Sequence, residues 1–208
     1  MIVAIDGPAA SGKGTLARKL ARHFGLAYLD TGLIYRAVGA LTVEAGGDPA
    51  DPVAATSAAQ ALRSKDLERD DLRGETAASA ASKAAAIPGV RAALVAFQRR
   101  FAATPPGAVL DGRDIGTVIC PGADVKLFLL ASPEVRAARR AEELRERGET
   151  VIYDAVLRDL VARDERDSAR DAAPLQPAED AIRLDTDELD AEQVFELAVD
   201  VIDQKVGG

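Results

Sequence analysis

An α/β fold, a five-stranded parallel sheet flanked by helices, is what the sequence predicts, on three observations. Short apolar runs lie at residues 2–5, 26–29, 108–111, 125–130 and 181–184. They are near-continuous rather than alternating, the pattern of strands buried on both faces. Segments of helical periodicity separate them, and such alternation builds a parallel sheet between helical layers.

The elements follow in order. The run 2–5 stops at the turn signal Asp6-Gly7. Residues 7–15 form a Gly-rich loop. Leu16, Leu20 and Phe24, with Ala17 and Ala21, then recur at helical spacing until Gly25 supplies a stop. A second strand over 26–29 closes at Asp30-Thr31-Gly32, and a helix over 33–45 ends at Gly46-Gly47. Asp-Pro steps at Asp48 and Asp51 lead into an Ala-rich helix near 53–62. The charged stretch 65–73, with Leu67 and Leu72 its only large apolar residues, is too polar for a central strand and predicts a surface lobe. Helices follow over 75–86 and 88–103, the second entered at Pro88, which suits a first helical turn. Strand 108–111 closes at Gly112, and 125–130 is the strongest strand. Ser132-Pro133 reads as N-cap and first residue of a helix running to Gly148. A charged helix is expected over 153–172, then a strand over 181–184. The last helix, 190–205, opens with Asp190 and Gln193 at capping-box spacing.

Composition narrows the function. The chain has 208 residues, a net charge of −8, and 20 Arg against 6 Lys. That balance argues against the basic footprint that grips a nucleic-acid polymer. It leaves room for a local Arg cluster, and Arg suits two-pronged recognition of phosphate. One Cys, Cys120, permits no internal disulfide and no thiolate zinc site. The single His, His23, reads as a helix-surface residue, and Cys120 as a small packed hydrophobe. Without any Asn there is no Asn-Lys-x-Asp loop to read guanine. No apolar run reaches the length of a membrane span, and no secretory signal precedes the first strand. The expectation is one cytoplasmic, monomeric domain whose polar segments 48–75 and 145–172 are mobile lobes over a site.

One motif carries chemistry outright. Gly7-x4-Gly12-Lys13, between a strand and a helix, is the phosphate-cradling P-loop signature. Its glycines let backbone N–H groups turn inward, and the helix N-terminus adds partial positive charge. The hydroxyl that usually follows the lysine is displaced by Gly14 to Thr15. The loop therefore predicts a nucleoside triphosphate, held by Gly7, Pro8, Ala9, Ala10, Ser11, Gly12, Lys13, Gly14 and Thr15. It does not say what is done with it: a small kinase and a switch protein that binds without transfer both fit.

Four blocks point further: Asp6 to Thr15, Leu29-Asp30-Thr31-Gly32-Leu33-Ile34-Tyr35-Arg36, Asp111-Gly112-Arg113-Asp114-Ile115-Gly116-Thr117, and Arg163-Asp164-Glu165-Arg166-Asp167. In this order and spacing the chain resembles the bacterial cytidylate kinases. The resemblance implies a P-loop kinase fold with core 1–36, 104–144 and 173–208, a monophosphate-binding insert at about 37–103 and a lid at about 145–172. It implies phosphoryl transfer from ATP to CMP or dCMP with Mg²⁺ carried by nucleotide and water rather than by a direct protein ligand. By the same resemblance Arg36 and Arg113 hold the CMP phosphate. Arg163 and Arg170, seven apart on one helix and so on one face, swing over the transferred group beside Lys13. Asp167 meets the ribose hydroxyls, and Asp30, Thr31 and Tyr35 line the monophosphate site. Ser82, Arg91 and Asp114 select the base, Asp114 accepting from the cytosine amino group. Arg139, Arg140, Arg145 and Arg147 either serve ATP phosphates or solvate a helix. The insert is trimmed in its middle, where the family carries short strands, yet Arg73, Ser82 and Arg91 remain.

Overall fold

The computed structural model describes residues 1–72, 74–170 and 173–207. Five strands, β1 (Ile2–Asp6), β2 (Ala27–Asp30), β3 (Ala108–Gly112), β4 (Val125–Leu130) and β5 (Ile182–Asp185), form one sheet in the order β2-β3-β1-β4-β5. Every pairing is parallel, with Asp6 beside Gly112 and Asp30 beside Asp111 at the carboxyl ends. Among the described residues eight α-helices connect or flank the strands: α1 (Lys13–Phe24), α2 (Thr31–Glu44), α3 (Pro52–Ala61), α4 (Glu75–Ala84), α5 (Pro88–Ala103), α6 (Pro133–Glu146), α7 (Tyr153–Ser168) and α8 (Ala191–Val206).

The apolar runs become strands because helices cover both faces. On one side Val3, Ile5, Val109 and Leu127 pack with Leu16 and Leu20 of α1 and with Ala198 and Ile202 of α8. On the other, Ala4, Ala108 and Leu110 pack with Ile34 and Val38 of α2 and Leu94 of α5. Ile5, Leu110, Leu127 and Leu129 are all but fully buried, each contributing roughly 1.5–3 kcal/mol. The chain leaves β1 toward β2 on one side and later reaches β4 on the other. Ligands bind at the carboxyl ends of the strands at such a switch point.

Caps fix the helix entries. Asp30 accepts from the Leu33 N–H at 3.0 Å, so α2 starts at Thr31, two residues before its apolar pattern. Ser132 and Asp190 cap α6 and α8, the latter in the expected capping box. The stretch after Arg63 folds as two 3₁₀ turns, Ser64–Glu68 and Asp70–Leu72, and Leu72 is fully buried. Arg73 lies outside the described residues, as do Asp171 and Ala172 at the end of the expected lid.

Two features differ from expectation. The helix expected over 153–172 ends at Ser168, because the Asp167 carbonyl accepts the Leu175 N–H at 2.9 Å and the chain turns back. Arg170 therefore stands beyond α7, not two turns along it. Residues Ile115–Ile119, which no apolar period announces, form a wide turn closed by i→i+5 bonds, Ile119 to Asp114 at 3.1 Å and Cys120 to Ile115 at 2.7 Å. Among the described residues no single helix is long and apolar enough to cross a membrane.

Candidate active site

The loop between β1 and α1 needs its glycines. Gly7 has φ of +147°, and a Cβ there would stand 2.4 Å from the Leu129 carbonyl oxygen of β4. Gly12, at φ +90°, turns the chain into α1 without a side-chain cap, leaving the helix N-terminus open toward the loop. Lys13 follows at 5% exposure. Its Nζ donates to the Pro8 carbonyl at 2.5 Å and the Ser11 hydroxyl at 3.3 Å, so the cation lies across its own loop. Burial, then the neighbouring Arg113 and Arg163, hold the Lys13 ammonium well below its usual pKa. An anion in the loop would reverse that pressure.

A second group of cations gathers on Asp167 of α7. This carboxylate is 1% exposed. It accepts from Arg113 Nε at 2.9 Å and from Arg170, and Arg163 Nε stands 4.0 Å away. Burial pulls the Asp167 pKa up, but Arg113, Arg170 and Arg163 outweigh it and leave the carboxyl below its ordinary value. Arg36 pairs with Asp30 at 2.5 Å at the end of β2. Thr31 donates to the Asp111 carbonyl at 2.7 Å, tying α2 to β3.

Beside this group lies an enclosed polar pair. Arg91 of α5 and Asp114 meet with both side chains 7% exposed. The Arg91 guanidinium also stands 5.9 Å over the Tyr35 ring. Burial raises the Asp114 pKa despite Arg91, Arg170 and Arg113 nearby. Ser82 of α4, buried, accepts from Arg166 of α7 at 3.5 Å. A cleft of about 580 Å³ opens between α4 and α7, with Ser79, Lys83, Arg163 and Arg166 in its lining.

The buried cation at the phosphate loop and the cations around Asp167 thus stand next to an enclosed Arg–Asp pair. The family model for cytidylate kinase matches residues 3–204. The chain belongs to the cytidylate kinase family. A cytidylate kinase of Paramagnetospirillum magneticum is 62% identical over 98% of this chain and 98% of its own. One of Xanthobacter autotrophicus is 58% identical over the full length of both chains. Among solved structures, an uncharacterized protein from Eubacterium ventriosum matches with a TM-score of 0.56 at 17% identity, covering 98% of each chain, which speaks to the fold alone.

In this kinase the residues marked from sequence fall into neighbouring groups: Lys13 with Arg113, Arg163, Asp167 and Arg170; Asp30 with Arg36 and Thr31; Tyr35 with Arg91 and Asp114; and Ser82 on Arg166. Thr15 faces solvent on the first turn of α1. The arginines of α6 and its C-cap divide: Arg139 donates to Thr186 and to the Leu189 carbonyl, anchoring the turn after β5, whereas Arg140 and the capping Arg147 meet Glu143. His23 stands exposed on α1 with its ring edge against Phe24 and Phe195, and Cys120 is buried.

Other groups received no role from the sequence. Asp6 ends β1 and Asp111 stands one residue before the end of β3, and an acid at the close of a buried apolar run is the signal that could have found them. Asp111 accepts from the Tyr28 hydroxyl at 2.9 Å. Burial and then Asp30 push its pKa up. Arg136, 2% exposed, donates to the carbonyls of Ala131 at 2.9 Å and Ala9 at 3.1 Å and to Asp164 at 2.5 Å, so it braces the phosphate loop against α7. Ala9 itself packs on Ala137 and Leu160.

Proposed function

We infer that the protein transfers the γ-phosphoryl group of ATP to CMP and dCMP, giving ADP with CDP or dCDP. The observation that carries this reading is the set of cations around Asp167 and Lys13, drawn from α1, the turn after β3 and both sides of the α7 terminus, beside the Arg91–Asp114 pair. Two anionic phosphates must approach each other in this reaction, and positioned guanidinium groups offset the repulsion.

Each role follows from the chemistry at its position. The 7–15 loop and Lys13 cradle the ATP phosphates. Arg36 and Arg113 hold the CMP phosphate in line, exchanging their present carboxylate partners for it. Arg163 and Arg170 neutralise charge on the group in transit. Asp167 keeps these arginines on station and meets the ribose. Asp114, supported by Arg91 and Ser82, accepts from the cytosine amino group, whereas the uracil oxygen at the same place would meet the carboxylate with repulsion.

Mg²⁺ fits this donor set as a cation carried by the nucleotide. Among the described residues no three acidic, His or Cys side chains are grouped to cage a metal, and Mg²⁺ is commonly held by phosphates, water and one or two carboxylates. Asp111 and Asp30, paired in register at the carboxyl side of β3 and β2, are the carboxylates that would face such a cation through water. When bound, Mg²⁺ would supply positive charge that offsets the phosphate charge developing in the transfer.

The same reading divides the chain into core 1–36, 104–144 and 173–208, insert 37–103 and lid 145–172, the lid closing to exclude water. The most exposed large apolar side chains, Val53 and Ile152, stand at the starts of two different helices, α3 and α7, which supports a monomer; cytoplasmic location accords with the substrates. A coupled kinase assay across CMP, dCMP, UMP and AMP tests the function. CMP and dCMP are expected to turn over well and UMP and AMP poorly; phosphorylation of UMP or AMP with CMP inert would overturn it.

A further inference from the structure

Asp6 ends β1 directly before the phosphate loop and is 4% exposed. Both of its oxygens are spent on the segment that follows β3: Oδ1 accepts from the Ile115 N–H and Oδ2 from the Gly116 N–H, each at 2.8 Å. These are the first two N–H groups of the wide turn, and the first amides of any helical turn lack partners within it. The other end of the turn is closed from inside, by the Asp114 and Ile115 carbonyls accepting from Ile119 and Cys120, and held from outside by Arg99 of α5, which donates to the Val118 and Ile119 carbonyls at 2.9 and 3.0 Å. The carboxylate of Asp6 is thus the outside support of the turn's opening.

What the turn carries gives that support its meaning. Asp114 immediately precedes Ile115 and holds φ −143°, ψ 26°, outside the helical and strand basins. A residue in such a conformation keeps it when its neighbours are fixed. Two successive amides clamped to one carboxylate fix both the position and the rotation of the peptide plane that follows Asp114. Gly116 leaves room for the clamp: a Cβ there would stand 3.1 Å from Cδ of Lys126 and 3.4 Å from Asp6 Oδ2.

We propose that Asp6 is a positioning residue for base selection: by gripping the Ile115 and Gly116 amides it sets where the Asp114 carboxylate presents itself to the pyrimidine. This rests on the reading of Asp114 as the group that distinguishes cytosine from uracil. Asp6 does not touch the substrate and acts through the turn. Asparagine at position 6 keeps the shape but offers one acceptor oxygen; its NH₂ group would face a backbone N–H, donor against donor, and push one end of the turn away.

The test is the selectivity ratio, kcat/KM for CMP over kcat/KM for UMP, in wild type, Asp6→Asn and Asp114→Ala. The ratio does not depend on how much of a preparation is folded, so a role confined to stability leaves it unmoved. Asp6→Asn is expected to lower it at least about tenfold, as a misplaced hydrogen-bonding group costs discrimination. A fall of less than about threefold overturns the proposal. Should Asp6→Asn yield no folded enzyme, Asp6→Glu decides by the same ratio, since its longer side chain keeps both acceptor oxygens but displaces the two amides they hold; a fall of about threefold or more supports the proposal, and a smaller one overturns it. A wild type without preference for CMP, or Asp114→Ala with the ratio intact, overturns the underlying assignment of Asp114, and the proposal with it.

Discussion

Asp167 of α7 accepts from Arg113 at 2.9 Å although 54 residues separate them, and this one contact joins the end of β3 to the terminus of α7. The carboxylate also accepts from Arg170 and lies 4.0 Å from Arg163. Three guanidinium groups on one buried anion leave local positive charge that a phosphate can satisfy. Removing one partner of a buried ion pair costs roughly 3–5 kcal/mol. Asp167→Asn is therefore expected to lower the melting temperature of the free enzyme by on the order of 10 °C. Thermal denaturation with and without CMP checks this, and CMP should recover part of the loss. A melting temperature unchanged within about 2 °C would mean that the arginines hold their places without Asp167.

Arg163 and Arg170 reach that carboxylate from opposite sides of the helix end, one on the last turns of α7 and the other beyond it. In the reaction both are expected to leave it for the transferred group. Arginine acting on phosphoryl charge contributes roughly 10³–10⁵ in rate in related enzymes. Arg170→Ala and Arg163→Ala should each lower kcat by at least about 10², with a smaller change in KM for ATP. Steady-state kinetics decide: a change confined to KM would make these residues binding groups only.

Much of this site was legible in the sequence, and the limits have physical causes. Gly7, Gly12 and Lys13 announce a phosphate loop because their spacing encodes backbone geometry. Arg36, Arg113 and Asp114 were marked by resemblance to a family; in the structure Arg113 and Asp114 follow β3 directly, and Arg36 lies on the first turns of α2. Asp6 and Arg136 escaped because each works through backbone groups distant in sequence, Ile115 and Gly116 for one and Ala9 for the other. No local pattern records such a partner. The end of α7 was misplaced for the same reason: the Leu175 amide that stops it comes from a segment with no helical signal.

The Arg91–Asp114 pair is enclosed, both side chains 7% exposed, with Tyr35 beneath the guanidinium. Asp114→Asn keeps its volume and removes its charge. The amide can turn an N–H toward a uracil oxygen, which the carboxylate cannot do. CMP turnover should fall while UMP turnover rises or holds, closing a gap in kcat/KM by on the order of 10²-fold, within what a mismatched buried group can impose. Equal losses for both nucleotides would show that the pair serves structure rather than choice of base.

Two buried carboxylates of this site carry opposite pH signatures. Burial, opposed by the Gly116 and Ile115 amides, raises Asp6 from 3.8 to about 6. Its folded pKa thus exceeds its unfolded one, and the folded state binds more protons between those values. The stability it contributes is fully present below about pH 4 and is lost as pH rises through about 6. Asp167 is depressed, so its contribution is present above the ordinary carboxylate pKa and is lost as pH falls through the lower folded value. A shift of about two units corresponds to roughly 3 kcal/mol. Asp6→Asn removes the first signature alone, because asparagine does not titrate. The melting temperature of wild type minus that of Asp6→Asn should therefore shrink between about pH 4 and pH 7, by on the order of 5–10 °C. The lost hydrogen bond adds a constant offset that leaves the slope untouched. A difference that grows with pH would mean that the two amides hold Asp6 ionised below its unfolded pKa, and the sign of its contribution would reverse.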